Sequence, residues 1–158
     1  MQNEGNVTGS EFFRINELPS LLKAAEEQLS PENTVLIFSQ ETDTRILFKT
    51  FLEIWGYQTE ESDCLEESLS IIKNRKPNLI ILDSILPFER HLENIRQIRR
   101  NKFSKEIPII VLSGFSQPQF KSLSMAVGAD GFLVKPVDFD LLENFLKKNI
   151  ENQGKKLH

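Results

Sequence analysis

Five short apolar runs recur along the chain at intervals of roughly 20 to 30 residues, and they restrict the possible fold more than any other feature. Three of the runs are continuous rather than alternating, which is typical of parallel strands buried on both faces. Segments with helical periodicity separate them, so the pattern predicts a doubly wound, five-stranded parallel α/β sheet. The predicted strands are Val35–Phe38, Tyr57–Glu60, Leu79–Leu82, Ile107–Leu112 and Gly131–Val134, the second having the weakest pattern.

The predicted helices lie between and after these strands. Gly56 and Gly128 follow the first and the fourth helix, where a left-handed residue commonly ends a helix. The fifth helix is expected to end near Asn152. The helical segments are Thr44–Trp55, Leu65–Arg75, Leu92–Arg100, Gln117–Val127 and Phe139–Ile150.

Residues 1–33 stand outside this alternation. We predict an N-terminal extension over residues 1–33, with a disordered tail and a helix over residues 18–29, then one α/β domain over residues 34–152 and a tail over residues 153–158. The helix has an apolar stripe, so it either packs on the domain's own surface or mediates docking or homodimerisation. We expect no output domain after the fifth helix.

Composition and charge exclude several classes of function. A hydrophobic content of 39% and a charged content of 27% are typical of a soluble globular domain. The net charge of −4 argues against direct nucleic-acid binding and against a polybasic membrane anchor. Neither a signal peptide nor a membrane-spanning run is present, so we expect a cytoplasmic protein. Basic residues around Arg99 fall at helical spacing and predict a solvated face.

The chain has one cysteine, Cys64, and two histidines, His91 and His158. A single cysteine excludes an internal disulfide and a cysteine-based metal site. So few histidines make nucleophilic catalysis by a Cys/His or Ser/His/Asp arrangement a weak interpretation. The composition therefore does not favour an enzyme.

Polar residues follow the predicted strands at their carboxyl ends, where ligands bind to open parallel sheets. Asp83 follows the third strand, Ser113 and Gly114 follow the fourth, and Lys135 and Pro136 follow the fifth. A carboxylate is a competent nucleophile toward a phosphoryl group and forms an acyl phosphate with it. An ammonium and a divalent cation stabilise the charge of the group in transfer. The arrangement predicts a phosphoryl-acceptor site with Asp83 as nucleophile.

Three stretches, KPNLIILDSILP, IPIIVLSGF and GADGFLVKPVD, resemble the receiver (CheY-like) domain of two-component response regulators. The resemblance covers residues from about 33 to 152. It implies that Asp83 is the phosphoacceptor, that Ser113 contributes a hydroxyl to the phosphoryl group and that Lys135 is the ammonium paired with it. It further implies that Pro136 follows a cis peptide bond and that Phe132 switches between exposed and buried rotamers.

The first strand departs from the family pattern, which has two acidic residues there to hold Mg²⁺. Ser39 and Gln40 occupy these positions, and the acidic Glu41 comes only after them. Asp83, the side-chain oxygen of Gln40 and the backbone carbonyl of Ile85 would form a poor shell for Mg²⁺, so we expect binding to be weak or absent. Glu41 either reaches the metal or caps the first helix.

A second departure follows Pro87, where the family has a glycine-rich turn and this chain has Phe88–Glu89–Arg90–His91. We expect a loop there, in which Arg90 and His91 either add positive charge near Asp83 or have no role in the site. In the family, the positions two residues after the aspartate and two after the hydroxyl residue control dephosphorylation. Ile85 and Phe115 occupy them and are apolar, which predicts slow self-dephosphorylation.

Two functions remain open on these grounds. In the first, the domain accepts a phosphoryl group at Asp83 from a histidine kinase or a phosphotransfer protein and signals to a downstream protein by a conformational change. In the second, it is a pseudo-receiver, a protein-interaction module whose conformation does not depend on phosphorylation. Asp83, Ser113 and Lys135 favour the first function, and the missing acidic pair favours the second.

Overall fold

The computed structural model describes Pro19 and residues 33–156, with side chains up to residue 150. Five strands alternate with five helices along this part of the chain. In chain order they are β1 (Thr34–Phe38), α1 (Thr42–Ile54), β2 (Gln58–Ser62), α2 (Leu65–Arg75), β3 (Leu79–Asp83), α3 (Phe88–Arg100), β4 (Ile109–Ser113), α4 (Pro118–Ala126), β5 (Gly131–Val134) and α5 (Phe139–Lys156).

The strands form one parallel sheet in the order β2-β1-β3-β4-β5, which confirms the predicted fold class. The chain starts in β1, moves outward to β2 and then returns to β3 on the other side of β1. Because the direction of winding reverses between β1 and β3, a crevice opens at their carboxyl ends. Phe38 pairs with Leu82 in the register of these two strands, so the residues that follow each strand meet at this crevice.

Alternate residues of the strands pack on opposite faces of the sheet, and each face carries its own core. On one face, Ile37 and Ile81 pack with α1 and α5 through residues such as Leu52 and Leu146. On the other face, residues such as Ile80 pack with α2 and α3. Strands β1, β3 and β4 are buried along their whole length, which explains their continuous apolar sequences.

Several boundaries differ from the sequence predictions by one or more residues, and those of β2, α3 and α5 are the most informative. Strand β2 runs two residues further, to Ser62, because this half-exposed edge strand with the sequence QTEES has little apolar patterning. Helix α3 starts at Phe88 and not at Leu92, so the predicted loop over residues 88–91 is wrong. Helix α5 continues to Lys156. The predicted helix over residues 18–29 lies outside the described residues. In the part of the chain that is described, no helix has the length and hydropathy to cross a membrane.

Candidate functional site

Asp83 is the last residue of β3 and lies in the crevice, with only 3% of its side chain exposed. Lys135 follows β5, and its Nζ lies 2.7 Å from Oδ1 of Asp83 as an ion pair. The backbone N–H of Lys135 donates a 2.7 Å hydrogen bond to the carbonyl of Ser113, so the sheet itself fixes the start of this side chain. The Lys135–Pro136 peptide bond is cis, as the resemblance implied.

Ser39 supplies the second partner of the Asp83 carboxylate. It follows β1, and its hydroxyl donates a 2.8 Å hydrogen bond to Oδ2 of Asp83. The same hydroxyl accepts a 3.1 Å hydrogen bond from the backbone N–H of Glu41, and Ser39 is buried. Each carboxylate oxygen of Asp83 therefore has a protein partner, Lys135 on one side and Ser39 on the other. The sequence pattern identifies Ser39 only as a lost metal ligand and does not predict this contact.

Ser113 ends β4 beside Asp83 and is also buried. Its hydroxyl accepts a 2.9 Å hydrogen bond from the backbone N–H of Phe115, so it is engaged with its own loop. Gly114 lies between them and is exposed, and a Cβ added there would meet nothing within 4 Å. The absence of a side chain keeps this edge of the crevice open. Phe132 is half-buried on β5 and packs against the core on the α2 and α3 side of the sheet.

The crevice contains a cavity of about 360 Å³. Most of its lining comes from the loops that follow β1, β3 and β4, which is the position that the strand pattern predicted for a site. The cavity is lined by Gln40, Glu41, Asp83, Ser84, Ile85, Leu86, Gly114 and Phe115.

The side chain of Glu41 points into the site. Its Oε1 lies 3.6 Å from Nζ of Lys135, and the side chain makes no capping hydrogen bond to α1. Glu41 is the N-cap residue of α1 by position, but its side chain does not cap the helix. Next to it, Nη1 of Arg45 donates a 2.6 Å hydrogen bond to the backbone carbonyl of Ser39, and its Nε lies 3.6 Å from Glu61. Arg45 adds a second positive charge at this end of β1, which was not predicted from the sequence.

His91 is fully buried in the first turn of α3, and it is neither a loop residue nor a cation near the site. Its Nε2 lies 3.2 Å from the hydroxyl of Ser124 in α4, and its Nδ1 has no hydrogen-bond partner. Burial lowers the pKa of His91 to about 4, and the negative charge of Asp83 opposes this shift only in part. His91 is therefore neutral near pH 7. His91 therefore adds no positive charge near Asp83, and it lies in a helix and not in the predicted loop.

An aromatic group lies beside the cavity and was also missed from the sequence. Phe88 in α3 and Phe120 in α4 have ring centroids 4.6 Å apart, and Phe115 packs 4.8 Å from Phe120. The ring of His91 lies 4.9 Å from Phe88 and belongs to the same group. The sequence indicates this group only through two phenylalanines, Phe88 directly after Pro87 and Phe115 directly after Gly114. The contacts among these four rings join the loop after β4 to helices α3 and α4.

The oxygen donors of the crevice do not fit the Mg²⁺ site that the fold implies. Mg²⁺ takes an octahedral shell of oxygens with one or two carboxylates and several waters. Here Ser39 and Gln40 replace the acidic pair of the family, and the carboxylates of Asp83 and Glu41 both contact Lys135. The backbone carbonyl of Ser39 accepts a hydrogen bond from Arg45. Among the residues that the structure describes, no three acidic, histidine or cysteine side chains are grouped to hold a metal ion.

The sequence profile described as "Response regulator receiver domain" matches residues 35–147, which cover the first half of α5 and the whole sheet except for Thr34. The chain belongs to the response regulator receiver family. Receiver domains are signalling modules of two-component systems that are generally not enzymes, and they generally bind Mg²⁺ in the active site. The matched stretch carries Asp83, Ser113 and Lys135 at the strand ends described above.

Known relatives support this membership. The chain is 34% identical over 103 residues to the phosphate regulon transcriptional regulatory protein PhoB of Pseudomonas aeruginosa, an alignment of 65% of this chain and 45% of PhoB. It spans about half or less of the length of the curated relatives that it matches. Among solved structures, the chemotaxis response regulator CheY4 of Vibrio cholerae is 28% identical, with a TM-score of 0.65 over 73% of this chain and 97% of CheY4.

A third relative shows the same fold with a metal present. The receiver domain of the sensor histidine kinase PA1611 of Pseudomonas aeruginosa was crystallised with a magnesium ion coordinated in its active site cleft. It has a TM-score of 0.67 over 75% of this chain and 98% of that domain, at 18% identity. At this identity the likeness extends to the fold alone.

Proposed function

We propose that this receiver domain accepts a phosphoryl group at Asp83 and signals to a partner protein. The observation that carries the proposal is the 2.7 Å ion pair between Nζ of Lys135 and Oδ1 of Asp83 at the wall of an open cavity. The carboxylate is the nucleophile, and the ammonium is placed to stabilise negative charge on a phosphoryl group bound to it. The donor is a phosphohistidine of a histidine kinase or of a phosphotransfer protein.

In this reaction, a carboxylate oxygen of Asp83 forms a bond to phosphorus while the bond from phosphorus to the donor's imidazole nitrogen breaks. The electron pair of the broken bond stays on that nitrogen, and the imidazole leaves neutral because its other nitrogen carries a proton. Lys135 exchanges part of its contact with the carboxylate for the new phosphoryl oxygens. Gly114 leaves the approach to Asp83 open, since no side chain projects there.

The phosphorylated site has to change a surface that a partner can read. Ser113 is placed to move its hydroxyl from the backbone of Phe115 to the phosphoryl group, and Phe132 is placed to follow it into the core. Helix α4, strand β5 and helix α5 form the surface nearest to this movement. Large apolar side chains are exposed on these elements, as expected for a surface that binds a downstream protein or a second copy of the domain. They are Leu123, Met125, Val134 and Leu141.

A second candidate function is a pseudo-receiver that binds its partner independently of phosphorylation. The hydrogen bond from Ser39 to Asp83 favours it, because this contact satisfies the carboxylate without any ligand. In this case the same apolar surface would bind its partner in a single conformation.

Intact-mass measurement after incubation with phosphoramidate, a small donor with a phosphorus–nitrogen bond, distinguishes the two candidates. We expect the wild-type protein to gain the mass of one phosphoryl group and the Asp83→Asn variant to gain none. Asp63→Asn is the matched control because Asp63 is an exposed aspartate beyond β2, and this variant should still be modified. A wild-type protein that gains no phosphoryl group would leave the pseudo-receiver as the function.

A further inference from the structure

We propose that the Asp83 site of this domain operates without a resident divalent cation, because Ser39 and Gln40 replace the acidic pair that would hold the metal and the Ser39 hydroxyl is already bonded to Asp83. The proposal rests on the proposed function for the role of Asp83. It goes further in assigning what holds the carboxylate and in predicting how the site responds to Mg²⁺.

Oδ2 of Asp83, which a metal would need as a ligand, already accepts a hydrogen bond. The Ser39 hydroxyl donates to this oxygen over 2.8 Å, and both residues are buried. A hydrogen bond to a buried charged group is among the stronger ones in a protein, and removing it leaves the charge poorly solvated. A metal ligated by Oδ2 would have to displace this donor. The family pattern has a carboxylate at this position, which would bind a cation there.

The charges around the crevice also disfavour a metal. The carboxylates of Asp83 and Glu41 both contact Nζ of Lys135, at 2.7 Å and 3.6 Å. The guanidinium of Arg45 lies at the carbonyl of Ser39, with 18% of its side chain exposed. Two carboxylates therefore share the ammonium of Lys135, and the guanidinium of Arg45 is paired with a third carboxylate, that of Glu61, at 3.6 Å. A divalent cation added to this set would leave the site with excess positive charge and close to an ammonium that repels it.

The other oxygens of the crevice are poor ligands for Mg²⁺. Gln40 is neutral and exposed, and it replaces the second carboxylate of the family pattern with an amide. The backbone carbonyl of Ser39 already accepts the 2.6 Å hydrogen bond from Arg45. The Glu41 carboxylate is already paired with Lys135 at 3.6 Å. Beyond it, what remains for a metal is Gln40 and the carbonyl of Ile85, and Mg²⁺ gives up its water shell reluctantly for neutral ligands.

Calorimetric titration of the whole chain with MgCl₂, in the absence of any phosphodonor, tests this proposal. We expect no binding by the wild-type protein at millimolar Mg²⁺. The variant Ser39→Asp/Gln40→Asp restores both carboxylates and should bind Mg²⁺ at least about tenfold more tightly than the wild type, since each adds a full charge within a few ångströms of the metal. Line broadening of the amide signals of Ser84 and Ile85 by Mn²⁺ gives a second readout.

Two further variants keep the test decisive. Ser39→Ala removes the hydroxyl but adds no carboxylate, so it should bind no more Mg²⁺ than the wild type. Gln40→Asp changes an exposed residue only and should gain part of the affinity, and it replaces the double variant if that variant does not fold.

The proposal is overturned by submillimolar Mg²⁺ binding in the wild type, by a folded double variant that does not bind, or by Ser39→Ala binding as tightly as the double variant. None of these measurements involves a phosphodonor. A failure of phosphorylation at Asp83 is therefore detected separately, by the mass measurement with phosphoramidate.

Discussion

The hydroxyl of Ser39 donates to Oδ2 of Asp83 over 2.8 Å, across the two strands β1 and β3 that flank the crevice. In the family pattern, an acidic residue occupies the position of Ser39 and would repel the carboxylate unless a cation lay between them. Ser39 replaces this repulsion between two carboxylates with an attractive hydrogen bond. The contact therefore contributes to the stability of the fold as well as to the chemistry of the site.

Replacing Ser39 by alanine should lower the free energy of unfolding by about 1.5 to 3 kcal/mol, because a buried charged acceptor loses its donor. Urea denaturation at neutral pH measures this change. Ser116→Ala is the control, since Ser116 is exposed and its truncation should change stability by less than about 0.5 kcal/mol. Equal stabilities of the two variants would show that the hydrogen bond to Asp83 contributes nothing.

The buried imidazole of His91 predicts a loss of stability in acid. Its pKa is about 4 in the folded protein and 6.5 as the ordinary value, so only the unfolded chain binds a proton between these values. Stability is complete above pH 6.5 and falls as the pH drops toward 4, by about 3 kcal/mol for this residue. In His91→Gln, the loss between neutral pH and about pH 4 should be smaller by this amount. An NMR titration of the wild-type imidazole with a midpoint near 6.5 would contradict the prediction.

Two glycines should respond in opposite ways to alanine. Gly128 has a φ of +127°, and an added Cβ would lie 2.5 Å from Cγ of Arg99, so Gly128→Ala should cost at least about 1 kcal/mol. At Gly114 an added Cβ meets nothing within 4 Å, so Gly114→Ala should change stability by less than about 0.5 kcal/mol. Thermal unfolding of both variants measures the difference, and a larger loss at Gly114 would contradict the geometry of the open crevice.

The apolar side chains at the two positions that control dephosphorylation in the family predict a long-lived phosphorylated form. Ile85 and Phe115 line the cavity next to Asp83, and neither side chain can orient or deprotonate an attacking water. We expect the phosphoryl group to persist for many minutes in purified protein. Phe115→Glu should accelerate its loss about tenfold or more, while Leu86→Asn, in the same lining, should change the rate little. Loss of the group within seconds in the wild-type protein would be inconsistent with this prediction.

Much of the fold could be predicted from the sequence because buried parallel strands leave a direct signature. Strands β1, β3 and β4 are continuous apolar runs, and their carboxyl ends indicated where Asp83 would lie. Strand β2 was placed less well, since an edge strand with a polar sequence has no hydrophobic period to locate its end. The start of α3 was missed because residues 88–91 were expected to form a loop in place of the family's glycine-rich turn, whereas they form the first turn of the helix.

The composition of the site was predicted better than its contacts. Residue type and position at the strand ends predicted that Asp83 and Lys135 lie close together. The residues around Ser39 in the sequence did not indicate that its hydroxyl donates to Asp83. The same limit applies to Arg99, which was predicted on a solvated face. Its guanidinium donates to the carbonyls of Gly128 and Ile107 and pairs with Asp130 at 2.6 Å. Such contacts join residues far apart in sequence, and helical spacing carries no information about them.

The most direct test of the account is to locate the phosphoryl group on the chain. After incubation with acetyl phosphate, borohydride reduces an aspartyl phosphate to homoserine, and peptide mass spectrometry then identifies the modified residue. The account predicts homoserine at position 83 and nowhere else, to the same extent with Mg²⁺ or with a chelator. Homoserine at another aspartate, or none under either condition, would contradict the assignment of Asp83 as the phosphoryl acceptor.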